Sequence, residues 1–323
     1  KGTITSDVTL AAGNTYKLSG EYIVEEGATL HIEEGVKIIA VYDDIADYIL
    51  VKQGGKINAV GTPDKPIVMT SEKEEPGAWG GIHICGRAHT NAEGGKGSSE
   101  IGGAVYGGND DADNSGTLQY IRLEYTGFAF DEEHEANGIS FYGVGNGTIV
   151  DHCQAYKGSD DGFEFFGGSV NVSNLVAVSC SDDSFDWTEG WNGKGTNLVA
   201  YQEDKSTLGY DCDCLMECDN NGSNNAATPV AHPVLKNLIL VGNGGSKQGI
   251  RLRAGTEVEI DNAKVCGKGQ PLTVETALTE NALKNGTSKL TNITLTSELS
   301  SKEGIYTHAA VSYTHLTLPT IRL

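Results

Sequence analysis

An internal repeat constrains the fold of this chain more than any other feature of its sequence. The segment GSDDGFEFF, which begins at Gly158, matches the segment CSDDSFDWT, which begins at Cys180, at an offset of 22 residues. The same apolar-polar alternation recurs upstream from Gly138 and downstream from Leu215 and Gly249. Self-similarity at a fixed short period is typical of a solenoid, in which each repeat forms one turn and packs on its neighbours.

A second family of short apolar segments alternates with the first at intervals of roughly 22 to 25 residues. Its members begin at Tyr120, His152, Asn174, Asn197, Asn237 and Asn262. Each segment is too short for a helix, and helical periodicity occurs only over 276–283. Two or three short strands per repeat predict an all-β protein that forms a parallel β-helix, and the 43 glycines suit its corners. The alternative is a β-sandwich, which requires more hairpin turns.

Charge and hydropathy narrow the choice of partners. The chain has 44 acidic and 23 basic side chains, and its formal charge of −21 repels nucleic-acid phosphates and anionic lipids. No apolar run approaches the roughly 20 residues of a membrane-spanning helix, and no signal-like segment opens the chain. We therefore expect a monomer with no nucleic-acid partner and no membrane insertion, either soluble or with its targeting segment removed.

The cysteines leave two interpretations open. Cys212, Cys214 and Cys218 have the spacing C-x-C-x3-C, which could ligate a thiophilic metal such as zinc. No fourth ligand stands at a finger-like spacing, and no CxxC pair occurs among the seven cysteines. We therefore favour the interpretation that they are buried thiols on strands.

Four segments resemble the pectin-lyase-like, right-handed parallel β-helix proteins secreted by gut and marine Bacteroidetes. They are IEEGVKI from Ile32, GTPDKPIVMTS from Gly61, WGGI from Trp79 and DDGFEFFGG from Asp160. The resemblance implies a right-handed β-helix over residues 1–310, with capping strands at its N-terminal end, and export to the periplasm or the outer cell surface. It implies no single activity, because such folds carry many functions. The segment 311–323 fits no coil and is expected to be non-native or disordered.

Strand alternation predicts two outward columns of side chains. Where Phe163 and Phe185 point into the coil, the residue after each of them points out, and equivalent residues stack about 4.8 Å apart. The first column comprises Ser140, Glu164, Asp186, Glu217 and Arg251. The second comprises Tyr142, Phe166, Thr188, Asp219 and Arg253. Because stacked carboxylates repel, a bound cation, a raised carboxyl pKa or the two arginines must offset the repulsion.

The first column suits three kinds of chemistry. Calcium can bind oxygen ligands from several strands and can at the same time coordinate the carboxylate of an acidic sugar. Glycoside hydrolysis uses a carboxyl pair, and the candidates are Glu164, Asp186 and Glu217. The resemblance implies a third possibility, a lyase in which Arg251 or Arg253 acts as the base. A solvated acidic face without catalytic function is the alternative to all three.

Paired aspartates and an acidic loop are candidate metal ligands. Asp160-Asp161 and Asp182-Asp183 precede two equivalent strands, so one member of each pair is expected to bond the turn backbone and the other to face outward. A calcium ion that bridges the two coils is the alternative interpretation. Asp111 and Asp113 match the first half of an EF-hand loop, but Arg122 stands where the loop requires Glu, so only a shorter calcium loop remains.

Long insertions and aromatic residues complete the expected binding surface. The insertions 86–117 and 220–233 are expected to frame one face of the solenoid. Tyr142, Phe166 and Trp191 are candidate stacking platforms for sugar rings, and Asp219 and Arg253 candidate polar contacts. We therefore expect an exported protein that binds complex carbohydrate with the help of calcium and without an organic cofactor. The alternatives are a polysaccharide lyase or glycoside hydrolase that acts on acidic glycans, and a non-catalytic adhesin or structural surface protein.

Overall fold

The computed structural model describes residues 2–43, 45–131 and 134–307. The strands of these ranges in the first half of the chain are β1 (Gly2–Ile4), β2 (Val8–Leu10), β3 (Thr15–Leu18), β4 (Glu21–Val24), β5 (Thr29–Ile32), β6 (Lys37–Ala40), β7 (Tyr48–Val51), β8 (Lys56–Val60), β9 (Ile67–Ser71), β10 (Ile82–Cys85), β11 (Gly97–Ser98), β12 (Val105–Tyr106), β13 (Gly116–Glu124), β14 (Ile139–Tyr142) and β15 (Ile149–Tyr156). Those of the second half are β16 (Phe163–Phe166), β17 (Asn171–Val178), β18 (Phe185–Thr188), β19 (Lys194–Tyr201), β20 (Met216–Cys218), β21 (Val234–Val241), β22 (Gln248–Leu252), β23 (Glu259–Cys266), β24 (Gln270–Val274), β25 (Lys289–Leu295) and β26 (Ser300–Ser301).

Two α-helices occur within the described ranges, α1 (Lys205–Leu208) and α2 (Ala277–Asn285). The position of α2 confirms the helix predicted over 276–283. The segment 311–323, which the sequence predicts to be non-native or disordered, lies outside the described residues.

Two long parallel sheets form the walls of a right-handed parallel β-helix. Sheet A runs β1-β4-β7-β10-β14-β16-β18-β20-β22-β24-β26. Sheet B runs β2-β5-β8-β13-β15-β17-β19-β21-β23-β25, and β3, β6 and β9 attach to it at β13. Neighbouring strands pair in parallel, and each coil gives one strand to sheet A before the chain moves on to sheet B. A β-sandwich is built from antiparallel strands, so this pairing excludes that alternative.

From β13 onward, one long strand per coil forms two walls of the helix. Residues 116–119 of β13 pair with β8, residues 121–123 pair with β9, and Tyr120 bends the strand between them with a φ of 51°. The equivalent bends in later coils are at His152, Asn174, Asn197, Asn237, Asn262 and Asn292, all with positive φ. The strands of the second family therefore begin three residues before the predicted start from β15 onward and four residues before it in β13, because the residue at the predicted start is a bend inside the strand.

The asparagines at these bends form a hydrogen-bonded ladder along the helix, here called the asparagine ladder. Asn197 donates from Nδ2 to Oδ1 of Asn174 at 2.9 Å, Asn237 donates in the same way to Asn197 at 3.0 Å, and Asn262 to Asn237 at 2.8 Å. Asparagine tolerates the left-handed backbone better than most residues and supplies both a donor and an acceptor. The ladder therefore ties successive coils together at a position where the backbone turns.

The core runs along the inside of the coils and consists of stacked apolar side chains. Phe163 and Phe185 stack with ring centroids 5.6 Å apart, and Phe141 stacks on Phe165 at 5.0 Å. These side chains are buried, as the alternation in the sequence predicts. A stack of this kind fixes which residues of sheet A point outward.

A second, smaller apolar cluster lies outside sheet A, beneath the first insertion. Tyr142 and Phe166 stack at 4.4 Å, and Ile101 and Tyr106 of the insertion pack on them. Residues 86–115, the part of the predicted insertion that precedes β13, thus fold back over the outer face of the sheet. They cover side chains that the pattern of the strands alone would leave in solvent.

Candidate functional site

The predicted charged column lies on the outer face of sheet A. The strand register pairs Ser140 with Glu164, Glu164 with Asp186, Asp186 with Glu217, and Glu217 with Arg251. The predicted alignment is therefore confirmed in every step. Three acidic side chains in adjacent strands stand at the spacing of hydrogen-bonded strands, about 4.8 Å.

The turns that lead into these strands bring further carboxylates to the same place. Asn137 accepts a hydrogen bond on Oδ1 from the backbone N–H of Asp161 at 3.2 Å, Asp161 accepts one from Asp183 at 2.8 Å, and Asp183 one from Cys214 at 2.6 Å. The second aspartate of each predicted pair thus bonds the backbone of the next coil. All four aspartates line one cavity, but Asp161 and Asp183 are buried, whereas Asp160 is partly exposed and Asp182 is exposed, which agrees with the predicted division of roles within each pair.

These side chains line a cavity of about 320 Å³, here called the acidic pocket. Among the described residues, ten carboxyl side chains and one guanidinium form its wall. They are Glu100, Glu135, Asp160, Asp161, Glu164, Asp182, Asp183, Asp186, Asp213, Glu217 and Arg251. Ten of the 44 acidic side chains of the chain are therefore gathered around one cavity on the solenoid.

The carboxylates of the pocket are close enough to share cations. The ligand atoms of Asp161, Glu164 and Asp186 lie within 4.8 Å of one another, and so do those of Asp183, Asp186 and Glu217. Asp186 belongs to both groups, and its Oδ1 is buried without a hydrogen-bond partner. A buried carboxylate oxygen without a donor is costly, and a cation in the pocket would satisfy it.

Burial and mutual repulsion raise the pKa of the pocket carboxyls. Burial, followed by the charges of Glu100 and Asp186, raises the pKa of Glu164 well above its usual value. Burial and then the charge of Asp182 raise the pKa of Asp160 to about 7, and burial raises that of Glu100 to about 7. Near neutral pH the pocket therefore retains protons that a bound cation would displace.

Two arginines close one end of the charged column by pairing with its acids. Arg251 donates to Glu217 at 2.9 Å and to Glu275 at 3.2 Å. Arg253 pairs with Asp219 at 2.7 Å and also contacts Glu217. Burial works against the charge of Arg251, but its bonds to Glu275 and Glu217 outweigh this effect and raise its pKa. Both guanidiniums are thus held in the protonated form.

The three aromatic residues expected to stack on sugar rings are buried, so this expectation is wrong. Tyr142 and Phe166 are 0% and 8% exposed, because the first insertion packs over them. Trp191 is 1% exposed and stacks on Phe165 in the core, with ring centroids 4.2 Å apart. Asp219 and Arg253, the expected polar contacts to sugar, bind each other instead and are not part of the wall of the pocket.

The structure does not bring the two aspartates of the predicted calcium loop into a common site. Asp111 binds Nδ1 of His89 at 2.6 Å, and Asp113 accepts a hydrogen bond from the hydroxyl of Ser115 at 3.2 Å. In the described part of the chain neither belongs to a group of three potential metal ligands within reach of one another. Their carboxylates are used to hold the first insertion in shape.

The three cysteines that could have ligated zinc do not form a common site among the described residues. Cys214 lies within ligand distance of Asp183 and Asp213, whereas neither Cys212 nor Cys218 belongs to such a group among the described residues. All three thiols are buried. The structure thus favours the alternative of buried thiols for Cys212 and Cys218.

Three residues of the pocket wall, and one that donates a hydrogen bond to it, are not among the candidates that the sequence provides. Asp213 stands three residues before the inward Met216, as Asp182 stands before Phe185, so extending the repeat alignment would have found it. Asn137 donates to Glu164 at 2.5 Å, and it occupies the turn position that Asp161 and Asp183 occupy in the next two coils. Glu100 and Glu135 come from irregular loops, which have no periodic signal.

The two insertions meet each other, but only the first reaches the pocket. Asn91 donates to Oδ1 of Asn220 at 2.8 Å and accepts from Asn221 at 3.0 Å. Glu100, in the first insertion, lines the pocket, whereas no residue of 219–233 does so. The expectation that both insertions frame the site is therefore confirmed for one of them.

Comparison with known proteins identifies the family. The family model described as a pectate-lyase-like beta helix domain matches residues 2–320. The chain belongs to this family. No curated protein and no solved structure matches the chain. Membership among the pectate-lyase-like β-helix domains indicates a carbohydrate-related function and interaction with polysaccharide, and such domains are commonly extracellular.

A membrane-crossing helix is not found in this pectate-lyase-like domain: within the described residues, neither helix has the length and apolar character that crossing requires.

Proposed function

We propose that this domain works outside the cytoplasm, in the periplasm or on the outer cell surface, and binds a uronate-containing polysaccharide through calcium ions held in the acidic pocket. The observation that carries the proposal is the concentration of ten carboxyl side chains around one cavity on a polysaccharide-associated fold. Calcium prefers oxygen ligands supplied by several carboxylates, which is the chemistry of this wall.

A bound cation explains why the charges can be tolerated. Two unit charges about 5 Å apart repel by about 3 kcal/mol at the effective dielectric of a protein surface. Glu164, Asp186 and Glu217 form a run of such neighbours, and Arg251 and Arg253 reach only Glu217 among them. Protons and calcium are the remaining ways to neutralise Glu164 and Asp186. Asp186 Oδ1, which is buried without a donor, belongs to both cation-binding groups on sheet A.

The same electrostatics select the polysaccharide. A uronate carboxylate that approaches this pocket without a cation meets a field of its own sign. A calcium ion that keeps an open coordination position reverses the sign and binds the carboxylate directly. We therefore expect uronate polymers to bind only in the presence of calcium, and neutral glucans to bind weakly or not at all.

Glycoside hydrolysis is the second candidate, and the raised pKa of Glu164 favours it. A buried carboxyl that keeps its proton near neutral pH can serve as a general acid, and neighbouring Asp186 stands at the short separation typical of retaining enzymes. A lyase reaction with Arg251 or Arg253 as base is less favoured, because both guanidiniums are paired with carboxylates. A non-catalytic adhesin agrees with the binding proposal and differs from both enzymes in leaving the glycan intact.

Calorimetric titration tests the proposal. Calcium is added to chelator-treated protein, and polygalacturonate, alginate or dextran is then added with and without calcium. We expect calcium binding and calcium-dependent binding of at least one uronate polymer by the native protein, and at least tenfold weaker calcium binding by Asp186→Asn. Asp261→Asn is the matched control, because Asp261 lies on β23 and is hydrogen-bonded by Asn292 at 2.8 Å.

The outcomes separate the candidates. No calcium binding, or uronate binding that is the same in chelator, contradicts the proposal. Release of reducing ends that Glu164→Gln abolishes establishes the hydrolase instead, and release of unsaturated products establishes a lyase.

A further inference from the structure

A second cavity lies on the same edge of the solenoid as the acidic pocket and has a different chemistry. It has a volume of about 350 Å³, and its wall includes Tyr42, Lys73, Glu75, Gly77 and Phe128. We call it the aromatic pocket. These residues belong to loops that follow β6, β9 and β13 and lead back to sheet A.

The aromatic pocket exposes ring surface that a protein of this kind normally covers. Tyr42 and Phe128 both lie in its wall, where Tyr42 is 56% exposed and Phe128 is partly exposed. Two aromatic rings exposed at one cavity form an apolar surface, and covering that surface with a ligand is favourable. Sugar rings have apolar faces that stack on such side chains, and their hydroxyls need polar partners at the edge.

The polar partners are present and oriented. The ammonium of Lys73 lies 4.4 Å from the centroid of the Tyr42 ring and donates to the tyrosine hydroxyl at 3.0 Å. Glu75 holds the same ammonium at 2.9 Å. Tyr42 is therefore fixed in position by an ion-paired lysine, which reduces the conformational entropy that stacking on it would cost.

The two pockets adjoin through a hydrogen-bonded corner. Gly77, in the wall of the aromatic pocket, and Ser159, next to Asp160 of the acidic pocket, both donate from their backbone N–H to the carbonyl of Thr126, at 2.8 and 2.9 Å. Gly77 has a φ of 83°, and a Cβ there would lie 2.9 Å from the hydroxyl of Ser159. A single corner of the backbone thus separates the two cavities.

A pair of short antiparallel segments gives each pocket one side chain. Ala136 donates from its backbone N–H to the carbonyl of Phe128 at 3.1 Å, and Ala129 and Glu135 form an antiparallel bridge. Phe128 faces the aromatic pocket and Glu135 the acidic one. The same few residues therefore build both cavities.

We infer that the aromatic pocket is a sugar subsite, in which Tyr42 and Phe128 stack on a ring of the same glycan chain whose carboxylate is bound at the acidic pocket. This inference rests on the proposed function. It adds that the protein recognises an extended stretch of polysaccharide that runs along the solenoid axis, and that affinity grows with chain length.

A length series of ligands tests the inference. Binding of a short and a long oligomer of the uronate polymer is measured in saturating calcium for the native protein, for Tyr42→Ala and for Ile149→Ala. Ile149 is a control because it is 51% exposed and lies on β15 of sheet B. We expect Tyr42→Ala to weaken binding of the long oligomer by about threefold to tenfold, the usual worth of one aromatic stacking contact.

The remaining readouts distinguish this inference from the function on which it rests. Tyr42→Ala should leave unchanged the affinity for calcium, the affinity for the short oligomer and the thermal midpoint, and Ile149→Ala should match the native protein throughout. If Tyr42→Ala binds the long oligomer as the native protein does while Asp186→Asn loses both oligomers, the subsite is refuted and the proposed function stands. If the native protein binds no uronate oligomer in calcium, both are refuted.

Discussion

Among single residues, Asp186 best connects the sequence to the site. Its backbone neighbours Phe185 and Trp187 are buried in the core, so strand geometry directs its carboxylate outward, between Glu164 and Glu217. Its Oδ1 is buried without a donor, and burial together with the charge of Glu217 raises its pKa well above the usual value. Asp186 therefore destabilises the metal-free protein and would stabilise a cation.

Replacing Asp186 by asparagine should stabilise the calcium-free protein near pH 8. The change removes a buried charge that lacks a partner, which is worth roughly 1–3 kcal/mol. Urea unfolding in a chelator measures the effect, with Asp261→Asn as control. Hydrogen bonds from Asn292 and Thr291 lower the pKa of Asp261, so its replacement should not stabilise the protein. A loss of stability in Asp186→Asn would show that the carboxylate is satisfied without metal.

The sequence predicts the direction of side chains in the column better than their exposure. Glu164 and Asp186 align as expected because the period-two alternation and the 22-residue repeat together determine register. Tyr142 points away from the coil as expected, yet it is buried, because the insertion that covers it comes from elsewhere in the chain. No local pattern indicates where the irregular residues 86–115 fold.

Among the structural elements, the long strands of sheet B depend on a left-handed bend in every coil. Asn174, Asn197, Asn237 and Asn262 supply this bend and the asparagine ladder at the same time. In the sequence these asparagines are visible as recurrent residues. The repeat alone does not reveal their positive φ, so the sequence predicts the start of these four strands three residues too late.

Substitution of Asn197 by alanine should lower the free energy of unfolding by roughly 2–4 kcal/mol. The change removes two hydrogen bonds of the ladder, the one that Asn197 donates to Asn174 and the one that it accepts from Asn237. It also places alanine in the left-handed region, which is unfavourable because alanine has a Cβ but no side-chain amide that can form local hydrogen bonds. Urea denaturation measures the loss. Asn197→Gly keeps the bend accessible and should lose less than Asn197→Ala, so equal losses in the two variants would contradict a cost for the bend.

For the whole molecule, ten of the 44 acidic side chains line the acidic pocket, and their burial there couples stability to pH. A carboxyl whose pKa is higher in the folded protein than in the unfolded chain favours folding while it is protonated, and this contribution is lost as the pH rises through the folded pKa. Burial raises the pKa of Asp160 and of Glu100 to about 7. Burial also lowers the pKa of His83 to about 4. This shift makes stability rise with pH, but only below about pH 6.5, the pKa of histidine in the unfolded chain.

The calcium-free protein should therefore lose stability between about pH 6.5 and pH 8.5, with a fall in Tm of at least about 2 °C. Calcium at a hundred times its dissociation constant should raise the free energy of unfolding by about 2.7 kcal/mol. At a fixed calcium concentration the stabilisation should be larger at the higher pH, because calcium then competes with fewer protons for the carboxylates. Differential scanning calorimetry with chelator or calcium measures both. A Tm that rises with pH in chelator would be inconsistent with protonated pocket carboxyls.

The contact between Asn91 and Asn220 affects how the coils of the solenoid can separate during unfolding. In a stack where each coil touches only its neighbours, turns can peel away from an end one at a time. This contact joins the loop after β10 to the loop after β20 and so bypasses the strands β14, β16 and β18 between them. The coils that carry most of the pocket carboxylates are thus joined through their loops as well, and separating them requires breaking these hydrogen bonds in addition to the strand pairing.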